Sequence, residues 1–130
     1  MTAFSQATAT ALAVVPRAYP LNKVPASPTM PYVVYSATFS APETYTNDAA
    51  HSVRIYRITW QTFGRDIDGV SDVDSKVVDA LLDKRLTVTG WDCGPCGTQY
   101  GGILGVPVRD PDDRGVVGTT SSLTFAATKE

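Results

Sequence analysis

The sequence predicts an α+β fold, in which a mostly antiparallel or mixed sheet carries one main amphipathic helix and a short N-terminal helix on one face. Three observations lead to this prediction. Residues alternate between apolar and polar along Tyr56–Gln61, as in a half-buried strand. Apolar residues recur at helical spacing between Val73 and Leu82. Strand-like segments come in runs before and after this helix, which favours an α+β sheet over an alternating parallel fold.

Length and composition predict one globular domain spanning residues 1–130. The chain has 130 residues, 43% apolar and 18% charged, which is enough apolar surface to fold around one core. Its formal net charge is −2 and it has no cluster of Lys or Arg, which argues against a surface that grips nucleic acid. The apolar stretch Ala9–Val15 is too short to span a membrane and follows no basic segment, so we expect synthesis and retention in the cytosol.

The N-terminal third predicts a helix, an arm and a strand. Residues 2–15 suit a short helix that ends before Pro16. The stretch 16–31 is predicted to be an extended arm that reaches out and does not pack, because its prolines fix φ and remove backbone donors. Tyr32–Phe39 has the composition of a strand, and Pro42–His51 that of a polar loop. The arm's prolines are Pro16, Pro20, Pro25, Pro28 and Pro31.

The central strand is predicted to have two unlike faces, and a charged loop, Gly64–Gly69, is predicted to follow it. The alternation places Tyr56, Ile58 and Trp60 on a buried face. It places Arg57, Thr59 and Gln61 on a face that meets solvent or a partner.

A helix is predicted from an N-cap at Ser71 to Arg85. Asp72 and Asp74 fall in its first turn, where the helix dipole favours anions. Lys84 and Arg85 fall in its last turn, where the dipole favours cations. The predicted buried stripe comprises Val73, Val77, Val78, Leu81 and Leu82, and the predicted outward residues are Lys76, Asp79 and Asp83.

The C-terminal half predicts two or three further strands. Leu86–Trp91 is one of them, Ile103–Val108 is a weaker one, and Val116–Thr128 is a long β-prone segment. Arg109–Gly115 is a surface turn by composition. The long segment alternates at Leu123, Phe125 and Ala127.

The sequence Cys93-Gly94-Pro95-Cys96 looks like the active site of thioredoxin, because a Cys-x-x-Cys pair at a helix N-terminus supports thiol exchange. The context argues against that function. The segment 97–105 holds four glycines and is a poor helix, and Asp92 puts an anion where a thiolate needs stabilising. We interpret the motif as a tight surface turn with two thiols and expect no catalysis from it.

No catalytic, cofactor or metal site is expected elsewhere. A structural zinc site needs four ligands, and beyond the two cysteines the chain offers one histidine, His51. A Ser-His-Asp arrangement of Ser52, His51 and Asp48 lacks any nucleophile signature, so a solvated loop histidine is the better interpretation. Gly101–Gly105 lacks the Lys of a phosphate loop. Calcium ligation is conceivable but lacks EF-hand spacing at the turn carboxylates Asp66, Asp68, Asp110, Asp112 and Asp113.

The order of the elements resembles the tail terminator proteins of long-tailed bacteriophages. The resemblance runs through Met30–Tyr35, a strand entered from a proline arm, and Val53–Phe63, a long strand that leads into a charged loop. It continues through the Ser71–Arg85 helix and the Leu86–Gly90 strand, and it covers nearly the whole chain. Trp91–Gly105, with its Cys-Gly-Pro-Cys sequence, departs from the family pattern.

The resemblance implies a virion protein with no enzymatic activity. It implies a ring, usually of six copies, that caps the tail tube, ends its polymerisation and provides the surface that joins the head. The implied partners are the tail tube protein on one side and a head-completion or connector protein on the other. DNA is expected to pass through the lumen without specific binding. The implied location is the head-proximal end of the tail, after assembly in the host cytoplasm.

A chain without a catalytic site must act by contact, and six residues are the candidate interface. The polar strand face and the charged loop after it offer complementary groups to a partner. Two alternatives remain: another connector or a minor tail or tube subunit, and, more distantly, a small thiol oxidoreductase that uses Cys93 and Cys96. The candidate interface residues are Arg57, Thr59, Gln61, Arg65, Asp66 and Asp68.

Overall fold

The computed structural model describes residues 3–43, 53–112 and 115–130, with residues 40–43 described by their backbone alone. The helices are α1 (Ala3–Leu12) and α2 (Ile67–Leu81), and the strands are β1 (Ala18–Pro20), β2 (Tyr32–Glu43), β3 (Val53–Gly64), β4 (Trp91–Cys93), β5 (Val108–Arg109) and β6 (Val117–Lys129). Within the described residues the sheet order is β1-β2-β3-β6-β4, and β5 also pairs with β6. β1 runs parallel to β2 and the other pairings are antiparallel, so the predicted α+β fold with a mixed sheet is confirmed.

The three long strands β2, β3 and β6 build the centre of the sheet. Their alternation places Ile58 opposite Leu123, and Tyr56 opposite Phe125, all on one buried face. Trp60 lies on the same face and is 1% exposed. The predicted buried face of the central strand is therefore confirmed, and so is the buried alternation of the long C-terminal segment.

Both helices pack on this face. Phe4 of α1 stacks on Tyr56 with ring centroids 3.9 Å apart, and it meets Trp91 edge to face at 5.5 Å. Helix α2 buries Val77 and Leu81 completely against the sheet. Because a helix stripe and one sheet face exclude water together, this layer forms the core of the molecule.

Helix α2 begins four residues earlier than the predicted N-cap at Ser71. The N-cap is Asp66, whose side chain accepts a hydrogen bond from the backbone N–H of Gly69 at 2.6 Å. The predicted loop Gly64–Gly69 is therefore wrong from Ile67 onward. Asp caps a helix as well as Ser does, and the earlier start brings Val70 into the core, where it is fully buried.

The predicted C-terminal turn of the helix is also wrong. Leu82 is already extended, with φ −62° and ψ 131°, so Lys84 and Arg85 lie beyond the helix. Leu82 is 37% exposed and does not belong to the buried stripe. The residues after the helix instead form bridges with the cysteine turn, Leu82 with Cys96 and Arg85 with Pro95.

Part of the proline-rich stretch 16–31 packs against the sheet. Its residues Ala18–Pro20 form β1 on the outer edge of β2, in register with Val33–Tyr35. Arg17 precedes this strand and ties the stretch into a loop, since its Nε donates to the carbonyl oxygen of Pro31 at 2.8 Å. The expectation that the arm does not pack is wrong for this part, because a short parallel pairing satisfies its backbone groups.

The segment between α2 and β6 has less regular structure than predicted. Leu86–Trp91 is not a strand, although Leu86 and Val88 are buried; a single bridge joins Val88 to Trp91, and the strand β4 begins at Trp91. Of the predicted strand Ile103–Val108 only Val108 lies in a strand, as the first residue of β5, and the predicted turn loses Arg109 to the same strand. The long C-terminal strand, predicted at Val116–Thr128, is confirmed as β6.

Candidate assembly surfaces

The sheet face opposite the helices is rich in hydroxyl groups. Thr59 lies at its centre, half-buried, between Ser36 of β2 and Ser122 of β6. Gln61 is exposed, and its Nε2 lies 3.5 Å from Oγ1 of Thr120. Around Thr59 the side chains are mostly short and polar, which suits a hydrogen-bonded contact. At one end of the same face Tyr32 and Phe63 form an aromatic pair with ring centroids 5.2 Å apart.

Arg57 has a partner within the chain. Its Nη1 donates to the carbonyl oxygen of Gly101 and to Oγ of Ser122, at 3.1 Å each. These bonds hold the glycine-rich loop over one end of the polar face. Arg57 therefore stabilises the chain's own loop, which the sequence pattern did not indicate.

The second predicted group lies where β3 leads into α2. Arg65, Asp66 and Asp68 are all exposed there. Asp66 is engaged as the N-cap of α2, while Arg65 and Asp66 also line a shallow depression of about 220 Å³ together with Met30 and Pro31. The structure thus places the six candidate residues on two neighbouring surfaces, the polar face and this charged corner.

Asp74 is half-buried between α2 and the sheet, and it does not lie in the first turn of the helix, where it was predicted. Its Oδ1 accepts hydrogen bonds from Trp60 Nε1 at 3.2 Å and from Thr62 Oγ1, and its Oδ2 accepts from Thr119 Oγ1 at 2.5 Å. Its position indicates this role, since Asp74 follows Val70 by four residues and therefore falls within the apolar stripe of α2. A carboxylate in a buried stripe predicts donors on the facing sheet.

The Cys-Gly-Pro-Cys turn lies in the core. Cys93 and Cys96 are free thiols with 3% and 1% exposure, so the predicted surface position is wrong, whereas the absence of a helix after the motif is confirmed. The turn joins the end of α2 to β6: the N–H of Cys96 donates to the Lys84 carbonyl at 2.9 Å, and that of Gly94 donates to the Ala126 carbonyl at 2.8 Å.

Burial makes both thiols poor nucleophiles. It raises the pKa of the Cys96 thiol from 9.0 to about 11, with a further contribution from Cys93. Burial also raises the pKa of Cys93, and the carboxylate of Asp92 adds to the effect. Because the thiolate is the reactive species, this environment is the opposite of that of a catalytic cysteine.

Among the described residues, no group of three or more His, Cys, Asp or Glu side chains is placed to hold a metal ion. Asp110 instead accepts a hydrogen bond from the backbone N–H of Asp112 at 2.8 Å, as in an ordinary Asx turn. Within residues 3–43, 53–112 and 115–130, no helix is long and apolar enough to cross a bilayer. The predictions for Asp48, His51, Ser52 and Asp113 concern positions outside the described residues.

An exposed apolar segment, Ile103–Val108, follows the outer side of β6. The exposed fractions are 67% for Ile103, 46% for Leu104, 74% for Val106 and 65% for Val108. The sequence predicts a weak strand here, and that pattern does not indicate the exposure of these side chains. Contiguous exposed apolar residues are unusual on a monomer and typically mark a contact site.

The fold has a counterpart among solved structures. A chain from a structure described as the virion of a native gene transfer agent particle matches 95% of this chain and 84% of its own length, with a TM-score of 0.58. The two chains share a fold. Their sequences are 12% identical, so the likeness concerns the fold alone. No protein-family model and no curated protein sequence matches the chain.

Proposed function

We propose that this chain is a structural virion protein of a tailed bacteriophage, and that it forms a ring that caps the tail tube. The observation that carries the proposal is the fold shared over 95% of the chain with a component of a gene transfer agent virion. The order of the sequence elements resembles tail terminators, and so favours the same class independently. By that resemblance the ring has six copies, ends tube polymerisation and joins the head.

Function by contact is consistent with the chemistry of the described residues. The cysteines that could support an oxidoreductase are buried with raised pKa values, which disfavours the thiolates that such an enzyme needs. The polar face and the charged corner are proposed to meet the tail tube protein and the head-completion or connector protein. DNA passes through the lumen without being recognised, in keeping with the formal net charge of −2.

Deletion of the gene in its phage tests the proposal. We expect heads that are not joined to tails, together with overlong or unfinished tails, when lysates are viewed by electron microscopy. Complementation from a plasmid should restore joined virions. Normal virions from the deletion strain would contradict the proposed role.

A tube subunit or another connector is the nearest alternative, because the same fold can serve several positions in a tail. The two are distinguished by what the purified protein forms. A terminator closes into rings of one size, whereas a tube protein grows into open-ended polymers of variable length. The distant alternative, a thiol oxidoreductase that uses Cys93 and Cys96, is tested by an insulin-reduction assay. Insulin reduction by the wild-type protein that is lost when both cysteines are changed to Ala would favour that alternative.

A further inference from the structure

The apolar segment Ile103–Val108 is held in place by its backbone. The carbonyl oxygen of Ile103 accepts a hydrogen bond from the N–H of Ser122 at 2.7 Å, and the N–H of Gly105 donates to Oγ of Ser121 at 2.8 Å. Val108 pairs with Gly118 at the far end. The backbone is thus tied to β6 at three points while the side chains remain exposed.

Gly105 explains how closely the segment approaches β6. A Cβ atom at this position would lie 2.1 Å from the carbonyl oxygen of Thr120, so a larger residue would push the segment away. A segment ordered in advance loses little conformational entropy when a partner binds it. These exposed side chains are therefore well suited to insert into an apolar recess.

An apolar groove lies at the opposite edge of the sheet. It has a volume of about 340 Å³, and we call it the edge groove. It lies where β1 ends, because β1 pairs with β2 only as far as Tyr35, and from Ser36 onward the outer side of β2 has no strand neighbour among the described residues. Its lining comprises Ser5, Thr8, Pro20, Leu21, Asn22, Tyr35, Ser36 and Ala37.

The Ile103 end of the segment lies at the level of the groove, whereas its Val108 end pairs with Gly118 and lies nearer the start of β1. Ser36 of the groove pairs with Thr59, which pairs with Ser122, and Ser122 bonds to Ile103 of the segment. Three strand spacings, roughly 14 Å, therefore separate the two features across the sheet. Two copies placed side by side would bring the Ile103 end of one segment to the groove of the next, with Val106 and Val108 beside the neighbouring β1.

The charges near the two features have opposite signs. Arg17 and Lys23 are the only charged residues among the first 42 of the sequence, and Lys23 directly follows the groove residue Asn22. Asp110 and Asp112 follow the apolar segment, against one Arg at position 109. Opposite charges at the rims favour this pairing of edges and disfavour the contact of like edges.

We propose that the apolar segment of one copy packs its Ile103–Val108 side chains against the edge groove and the adjoining β1 of the next copy. The contact joins unlike surfaces, so it propagates head to tail and closes into a ring when the rotation closes. As the route to the ring, it rests on the proposed function. Pro107 has no backbone N–H and Val108 already pairs with Gly118, so the segment contributes side chains and not an added strand.

Cross-linking of cysteine variants tests the contact. Leu21→Cys and Val106→Cys are prepared separately, mixed at high concentration and treated with a short bismaleimide. The proposal expects a covalent dimer from the mixture and none from either variant alone, since the contact joins unlike surfaces. Wild type is the control for the native thiols, which are buried. The variant with both substitutions in one chain should yield a series of cross-linked oligomers whose largest member contains as many copies as the closed ring.

Self-association supplies a second readout. Val106→Asp should weaken it by at least about tenfold, because a charge then replaces an apolar side chain at the proposed contact. The matched control is Val14→Asp, at a valine that is 77% exposed, against 74% for Val106, and outside both features. Rings without a mixed cross-link overturn this contact but leave the terminator role intact. A chain that stays monomeric at every concentration overturns the contact too, and the gene deletion then tests the role separately.

Discussion

Trp60 of β3 donates a hydrogen bond from its indole Nε1 to Oδ1 of Asp74 on α2, at 3.2 Å, across the interface between helix and sheet. Both the ring of Trp60 and the hydroxyls of Thr62 and Thr119 are nearly or fully excluded from solvent. One carboxylate therefore satisfies three donors that have no access to bulk water. This arrangement fixes the rotation of α2 about its axis as well as its position.

Asp74→Ala should lower the free energy of unfolding by about 2–4 kcal/mol, because three buried donors lose their acceptor. Urea titration followed by tryptophan fluorescence measures the loss. Asp79→Ala is the matched control, since Asp79 lies on the same helix with an exposed side chain, and its effect should be near zero. Equal effects of the two substitutions would contradict the role of Asp74.

Leu81→Ala should cost about 2–5 kcal/mol, since a fully buried side chain is lost and a cavity remains. The adjacent Leu82→Ala is the control, because Leu82 is 37% exposed and lies beyond the end of α2. Thermal and urea unfolding of both variants should rank Leu81 well above Leu82. The reverse ranking would mean that the helix ends later than described.

Substitution of the cysteines should be more costly than their sequence context suggests. A surface turn would tolerate Cys→Ser at a cost of about 1 kcal/mol or less. Cys96 is 1% exposed, so Cys96→Ser places a hydroxyl in the core and should cost about 1–3 kcal/mol. Cys96→Ala avoids the polar group and should cost less. A serine variant as stable as wild type in urea would argue against the buried position.

The raised pKa of Cys96 predicts a loss of stability in alkali. The unfolded chain releases the thiol proton near pH 9, whereas the folded chain keeps it up to about pH 11. The folded state therefore binds more protons between these values, and the free energy of unfolding falls as pH rises through this window. The Cys96→Ala variant lacks this contribution, so its deficit relative to wild type should narrow between pH 9 and pH 11. Parallel pH profiles would show that Cys96 titrates normally in the folded chain.

Charge reversal should affect the two candidate interface arginines differently. Arg65→Glu changes an exposed side chain, so the chain should melt as wild type does and yet fail to support head joining in the phage. Arg57→Glu also removes the two hydrogen bonds to Gly101 and Ser122, so it should loosen the glycine-rich loop. Circular dichroism melts and hydrogen exchange of residues 97–105 distinguish the two variants. If Arg65→Glu supports normal joining, the charged corner is not an interface.

Local periodicity accounts for what the sequence predicted well. The alternation around Ile58 and the stripe around Val77 each depend on neighbours a few residues away, so the buried faces of β3 and α2 follow from the sequence. The start of α2 could not be predicted from the sequence alone. Asp66 and Ser71 are both suitable N-caps, and the burial of Val70 in the core decides between them.

Features that depend on contacts between distant segments could not be predicted from the sequence. The parallel pairing of Ala18–Pro20 needs β2 beside it, and the burial of Cys96 needs both the end of α2 and β6. The anchoring role of Arg57 likewise needs the carbonyl of Gly101, 44 residues away. For the candidate interface, the sequence indicated which residues face away from the helices but not which of them already bond within the chain.

The glycine-containing segment 91–109, which runs beside β6, protects the protein against aggregation. Val117–Thr128 contains no charged residue and is strongly β-prone, the composition of segments that form intermolecular β-structure. In the fold β3 covers one side of this strand, and residues 91–109 bond to the other side at intervals from Lys129 to Val117. Gly105→Val would force this cover away at Thr120, and the uncovered strand would be free to recruit other chains into fibrils.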